Sequence, residues 1–262
     1  NVARQHPADY VRGAMECVRA VTRSAARTCR GFNAAAIIGI GIDTTGSTPM
    51  PVDRNGTPLA MLPKFRRNPN AMAWLWKDHT GHAEAAEITE LAAKIRPRYL
   101  AKCGGTYSSE WFWSKVLHCR RVAPDVFKAA HSFVEHCDYM PALLAGDTRP
   151  EKLVRGVCSA GHKAMYCNEW NGLPDKAFLA KLDPALAGLR DRLYQTAVPS
   201  DRLAGRLSRE WAAKLGLMPG TAIAVGAFDA HMGAVGAGIG EGVLVKILGT
   251  STCDMMVMKA NR

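Results

Sequence analysis

The sequence predicts an α/β fold, with helices on both faces of a sheet. Three observations predict it. Short continuous apolar runs, at 34–43, 221–226 and 242–249, have the length and make-up of strands. Stretches with apolar residues at three- and four-residue spacing alternate with them, which is the pattern of strands joined by packed helices. The composition, 48% hydrophobic and 22% charged, is that of a folded chain, and 262 residues suffice for one large domain or two ordinary ones.

Residues 9–29 read as an amphipathic helix. Val11, Met15, Val18, Val21 and Ala25 fall at helical spacing, while Arg19, Arg23, Arg27 and Arg30 line another side. The run AAAIIGIGID, 34–43, reads as a strand buried on both faces. TTGSTPMPVD then reads as a small-residue loop at that strand's carboxyl end, where open α/β sheets bind ligands. Residues 71–95 read as mainly helical with an interruption at Gly81, and 108–122 as a helix with Ser108 or Ser109 as N-cap. A short strand and a helix closed by Gly146 follow, then a loop-rich stretch over 147–175. LSREWAAKLGL, 207–217, reads as a helix. After the turn MPG come the strand TAIAVG, a glycine-rich helical turn after Asp229, and the strand GVLVKILG.

Several function classes are disfavoured. No run of about 18 apolar residues occurs, so no membrane span or membrane partner is expected. The first thirty residues mix charge and apolar residues and do not read as a signal peptide; without an initiator Met, a fragment or trimmed piece is expected. The eight cysteines form no Cys-x-x-Cys pair and read as reduced thiols of a cytoplasmic protein. The net charge of +11 is scattered without interleaved aromatics, which favours a solvated basic surface over nucleic-acid binding. There is no Gly-Lys-Ser/Thr phosphate loop, and GAGIGEG follows a helical stretch and carries Glu241 where a dinucleotide fingerprint needs glycine. HTGHAE, from His79, is too weak a pattern for a metal site, so none is expected.

The stretch with most chemical content is 221–256. Asp229 is a lone carboxylate closing an apolar run, and Gly249-Thr250-Ser251 is a hydroxyl-rich turn closing the next. A carboxylate at a strand end can accept a proton from a hydroxyl nucleophile, worth about 10²- to 10⁴-fold. A turn of Gly, Thr and Ser offers N–H groups and hydroxyls to phosphate oxygens. An ordinary helix N-cap is the alternative for Asp229.

The pattern strand, Gly-x-x-Asp, small residues, strand, Gly-Thr-Ser resembles the FGGY carbohydrate kinases, of the ribonuclease H-like actin/Hsp70/sugar-kinase superfamily. The resemblance extends through GIDTTGSTPMPVD, GGTYSSEWFWSK, VEHCDYMPALLAG and SAGHKAMY, and among these kinases it points to the ribulokinases. It implies that Asp229 is the catalytic base and a sugar contact, that Gly46, Ser47 and Lys163 meet the sugar, and that Gly249, Thr250 and Ser251 touch nucleotide phosphate. Glu110 falls near a polyol-contacting position, a looser correspondence. The implied reaction is ATP-dependent phosphorylation of L-ribulose to L-ribulose 5-phosphate in L-arabinose catabolism, with Mg²⁺ bridging the nucleotide phosphates. A sibling kinase for another pentulose or polyol, or a non-catalytic sugar-binding domain, are the alternatives, and homo-oligomerisation stays open. Residues 1–242 are expected to form the sugar-binding domain and 243–262 to begin the nucleotide-binding domain. The family's first strand, with its Asp-x-Gly-Thr loop, has no counterpart here, nor has most of the second domain, so the chain alone is expected to be inactive.

Overall fold

A computed structural model describes residues 1–249 and 251–259. The apolar stripe of the first helix, Pro7–Thr28, fixes where the sheet lies. Val11, Met15 and Val18 pack on Leu207, Trp211, Leu215 and Ile223. Val21, by contrast, is 67% exposed, so the last turns of this helix run past the core.

The sheet is α/β in connectivity, as expected. Gly39–Ile40 pairs in parallel with Ala222–Ala224, and Asp43–Thr44 in parallel with Ala227–Phe228. Leu203–Arg206 lies antiparallel on the other edge of Ala222–Ala224. The long buried strand expected over 34–43 is not there. Ala34–Ala36 is a 3₁₀ turn capped by Asn33, Ile38 is 87% exposed, and strand geometry survives only in the two short pieces. Gly39 and Gly41 give this stretch little to bury, and among the described residues its ladder has a partner on one edge only.

The small-residue loop is likewise shorter than expected. It turns at 45–48, and Pro49–Val52 then runs antiparallel to Ser132–Glu135. Residues 71–95 are helical only over His82–Ile95. Ala73–Trp74 is instead a short strand against Arg4–Gln5, with Trp74 buried under the Arg4 guanidinium. The next helix begins at Phe112, not at 108. Ser108 caps the preceding turn instead, accepting the Glu110 N–H at 3.2 Å. Within the stretch expected as loop, Val157–Ala164 is a helix with a non-helical kink at Gly161. The strand–helix unit ending at Gly146, the helix Arg209–Leu215 capped by Ser208, and the strand Leu244–Leu248 are as expected.

Helices on the sheet are only part of the molecule. The largest apolar cluster lies among the helices His82–Ile95, Phe112–Val122, Pro124–Ala129, Lys176–Leu182 and Pro184–Arg190. Trp74, Tyr99, Phe112, Trp113 and Phe178 supply its bulk. These aromatics bury enough area to form a second core, which the strands Ala73–Trp74 and Ser132–Glu135 join through Trp74 and Phe133.

Candidate active site

The strand pair Asp43–Thr44 and Ala227–Phe228 runs in parallel, with Thr44 opposite Phe228. Both chains therefore leave the sheet at the same end. One enters the turn that holds Gly46, and the other enters the helix Asp229–Gly236. Asp229 is exposed at the helix start, where the macrodipole favours a carboxylate. Its Oδ1 accepts the Ala230 N–H at 2.7 Å, and no cap bond reaches further into the helix.

The glycine of Gly-x-x-Asp has a packing reason. A Cβ on Gly226 would lie 1.8 Å from the Cys137 carbonyl oxygen, and one on Gly156 would lie 2.8 Å from the Gly226 oxygen. Three backbone segments cross here. The buried Asp138 ties two of them, accepting the Gly156 N–H at 2.9 Å and the Ser159 hydroxyl at 3.3 Å. This crossing seats the helix Val157–Ala164 against the strand Ala227–Phe228.

That helix carries Lys163 in its last turn. The Lys163 Nζ donates to His162 Nε2 at 3.1 Å and lies 5.5 Å from the Trp111 ring centre and 5.6 Å from that of Phe228, the residue before Asp229. Burial lowers the lysine's pKa, opposed by the charges of Glu110 and Glu135. Burial first, then Lys163 and His231, push His162 down to about 3, so it is a neutral acceptor. The helix end is fixed by the segment GGTYSSEWFWSK. Tyr107 donates its hydroxyl to the Lys163 carbonyl, and Trp113 Nε1 donates to the Ala164 carbonyl at 2.8 Å. The two most specific motifs of the sequence are thus one contact in space.

Gly46 sits against Trp76, whose Cβ would be 3.3 Å from an added methyl. Ser47 differs from the sequence expectation in one respect. Its side chain is turned inward, 1% exposed, and its hydroxyl donates to Glu135 Oε1 at 2.6 Å. The residue is buried as a whole, and the hydroxyl expected to meet a sugar is held by a carboxylate instead. Glu110 stands in the turn before Phe112–Val122, half-exposed, 3.9 Å from His79 Nε2. Gly249 and Ser251 are exposed at the tip of the hairpin made by Leu244–Leu248 and Thr252–Met256, where the Gly249 N–H donates to the Ser251 carbonyl at 2.9 Å. Thr250 lies outside the described residues. The hairpin leans on the helix of Asp229, with Ile247 Cδ1 3.2 Å from where a Gly233 Cβ would be.

Residue-by-residue reading of the sequence did not single out Lys115, Glu135, Asp138, Cys158 or His231. Cys158 Sγ lies 2.6 Å from His231 Nδ1, linking the helix of Lys163 to the helix of Asp229. The one available signal was that Glu135 and Asp138 fall inside VEHCDYMPALLAG and Lys115 inside GGTYSSEWFWSK.

Solved structures of sugar kinases share this architecture. The xylulose kinase of Rhodospirillum rubrum superposes with a TM-score of 0.72 at 22% identity, covering 100% of this chain and 48% of that one. A glycerol kinase of Plasmodium falciparum gives 0.69 at 16% identity, covering 96% and 45%. At such identities the likeness is one of fold. The chain belongs to the FGGY family of carbohydrate kinases, whose N-terminal domain model matches residues 1–236. Its relatives include the ribulokinase of Vibrio parahaemolyticus, 50% identical over 258 residues, which are 98% of this chain and 45% of that protein. The ribulokinase of Geobacillus thermodenitrificans is 39% identical over 257 residues, 97% of this chain and 44% of its own length. The chain thus spans less than half the length of the curated relatives it matches. No helix is long and apolar enough to cross a membrane among the described residues.

Proposed function

We propose that the complete protein carrying this chain is a cytoplasmic pentulose kinase that transfers the γ-phosphoryl group of ATP to L-ribulose, giving L-ribulose 5-phosphate and ADP. The carrying observation is spatial. Gly46, Lys163 and Asp229 come from three separated stretches, and their elements meet around one end of one parallel strand pair. The substrate follows from the relatives, which are named ribulokinases and align along nearly all of this chain.

In this reading the sugar lies over the Gly46 turn, where the lack of a side chain leaves room for an open-chain pentulose. Lys163 orients it through a charged hydrogen bond from a half-buried ammonium. The terminal hydroxyl attacks phosphorus. Its proton goes to the Asp229 carboxylate, the new O–P bond forms, and the bond to the β-phosphate oxygen breaks with its electron pair leaving on ADP. Gly249, Thr250 and Ser251 contribute polar groups toward the phosphates, and Glu110 contributes a second carboxylate near the polyol. Mg²⁺ held by the nucleotide's phosphate oxygens would neutralise charge there.

The test is an ADP-release assay on the complete protein with L-ribulose, xylulose, ribitol and glycerol. The highest kcat/KM is expected with L-ribulose. A clear preference for another sugar reassigns the substrate, and no turnover with any of the four overturns the reading.

A further inference from the structure

Two charged side chains unused by the proposed reaction are buried against the Gly46 turn. Lys115, on the helix Phe112–Val122, is 1% exposed, and its Nζ donates to the Ser47 carbonyl at 2.7 Å and to the Trp74 carbonyl at 3.4 Å. Glu135, the last residue of the strand Ser132–Glu135, is 4% exposed. Its Oε1 accepts the Ser47 hydroxyl at 2.6 Å and its Oε2 the Thr48 N–H at 2.6 Å. Burial lowers the pKa of Lys115 and raises that of Glu135, and each charge draws the other back toward its ionised form.

Buried ions are costly unless paired and fully hydrogen-bonded. A simple structural pair would meet directly. Among the described ion pairs these two do not, and the residue between them is Ser47. The rest of the turn is held the same way. Thr48 Oγ1 donates to the Gly46 carbonyl at 2.7 Å, and the His136 N–H donates to the Thr48 carbonyl at 3.1 Å.

We propose that Lys115 and Glu135 are positioning residues of the sugar loop, holding Ser47 by its carbonyl and its hydroxyl so that Gly46 keeps one conformation at the cleft. The inference rests on the reading that Gly46 faces the sugar. It makes the fixed backbone of this turn, rather than a side chain on it, the device that selects the substrate's shape.

The experiment compares the complete wild-type protein with Ser47→Ala, Lys115→Met, Glu135→Gln and the Lys115→Met/Glu135→Gln double variant. It reads amide hydrogen exchange over residues 44–52, the KM for L-ribulose and for ATP, and the thermal midpoint. Exchange over 44–52 should quicken while that of the helix Asp229–Gly236 stays unchanged. The sugar KM should rise about tenfold, as for one lost charged hydrogen bond, with the ATP KM unchanged. The double variant leaves no lone buried charge, so it should recover the midpoint lost by either single variant without recovering the sugar KM. Ser47→Ala keeps both charges and serves if the single charge variants fail to fold. Unchanged exchange over 44–52, equal rises in both KM values, or a sugar KM that recovers together with the midpoint would overturn the proposal. If wild-type protein phosphorylates no sugar, the functional reading fails. The exchange measurement then still decides whether these residues hold the turn.

Discussion

Lys163 has a different environment from the other lysines of a chain that carries a net charge of +11. Its ammonium is half-buried between two aromatic rings, with a neutral histidine as its hydrogen-bond partner. Such a group has unused donors and little water to satisfy them, so a polyhydroxyl ligand is a natural partner. Lys163→Met keeps the stem and removes the donor. Losing a charged hydrogen bond costs about 1.5–3 kcal/mol, so kcat/KM for the sugar should fall roughly 10- to 100-fold, with the thermal midpoint kept. Steady-state kinetics over a sugar titration check this. His136 makes a separate prediction about stability. It is buried against Tyr10, ring centres 3.7 Å apart, and burial lowers its pKa from 6.5 to about 4. The unfolded chain binds that proton first as pH falls. The stability contribution is therefore complete above pH 6.5 and is lost progressively as pH drops through the window down to about 4. His136→Phe should flatten the acid-side fall in thermal midpoint across that window, as melting curves at stepped pH would show.

Gly226 shows how one element depends on its neighbours. A methyl there would stand 1.8 Å from the Cys137 oxygen, so the strand end, the helix His136–Ala145 and the start of Val157–Ala164 would have to part. Gly226→Ala should cost about 3 kcal/mol or more. Gly236→Ala, at a helix end with nothing within 4 Å of the added carbon, should leave stability nearly unchanged. Chemical denaturation of the two variants is the check. The same elements show what the sequence could reveal. The Gly-x-x-Asp stretch, the helix capped by Ser208 and the helix closed by Gly146 are legible because local signals and tertiary structure agree there. The run 34–43 misleads because continuous apolar character says nothing about whether a partner strand lies on each side. Residues 71–81 mislead because Trp74 is placed by Arg4 and Asn70 rather than by helical periodicity. The grip of Lys115 and Glu135 on Ser47 spans 68 and 88 residues, and no spacing rule reaches that far. The exposed place of Asp229 after a strand was legible because a lone carboxylate closes an apolar run there. The inward turn of Ser47 was not, because a hydroxyl in a small-residue loop suits a ligand or a buried carboxylate equally well.

At the scale of the whole molecule, the proposed function makes this chain the sugar side of a cleft. Phosphoryl transfer needs the γ-phosphate held in line with the attacking hydroxyl by groups on both sides. The relatives are more than twice as long as the part of them this chain matches. The 262 residues expressed alone should therefore bind L-ribulose weakly and release no ADP, which calorimetry and a coupled assay would separate. The most direct test of the central claim, that Asp229 is the base of a pentulose kinase, is turnover of Asp229→Asn in the complete protein, with sugar binding measured beside it. Asparagine keeps the shape and loses the proton acceptor, so L-ribulose phosphorylation should fall about 10²-fold or more while sugar affinity stays close to wild type. Wild-type turnover in that variant would contradict the account and leave Asp229 as no more than the first residue of a helix.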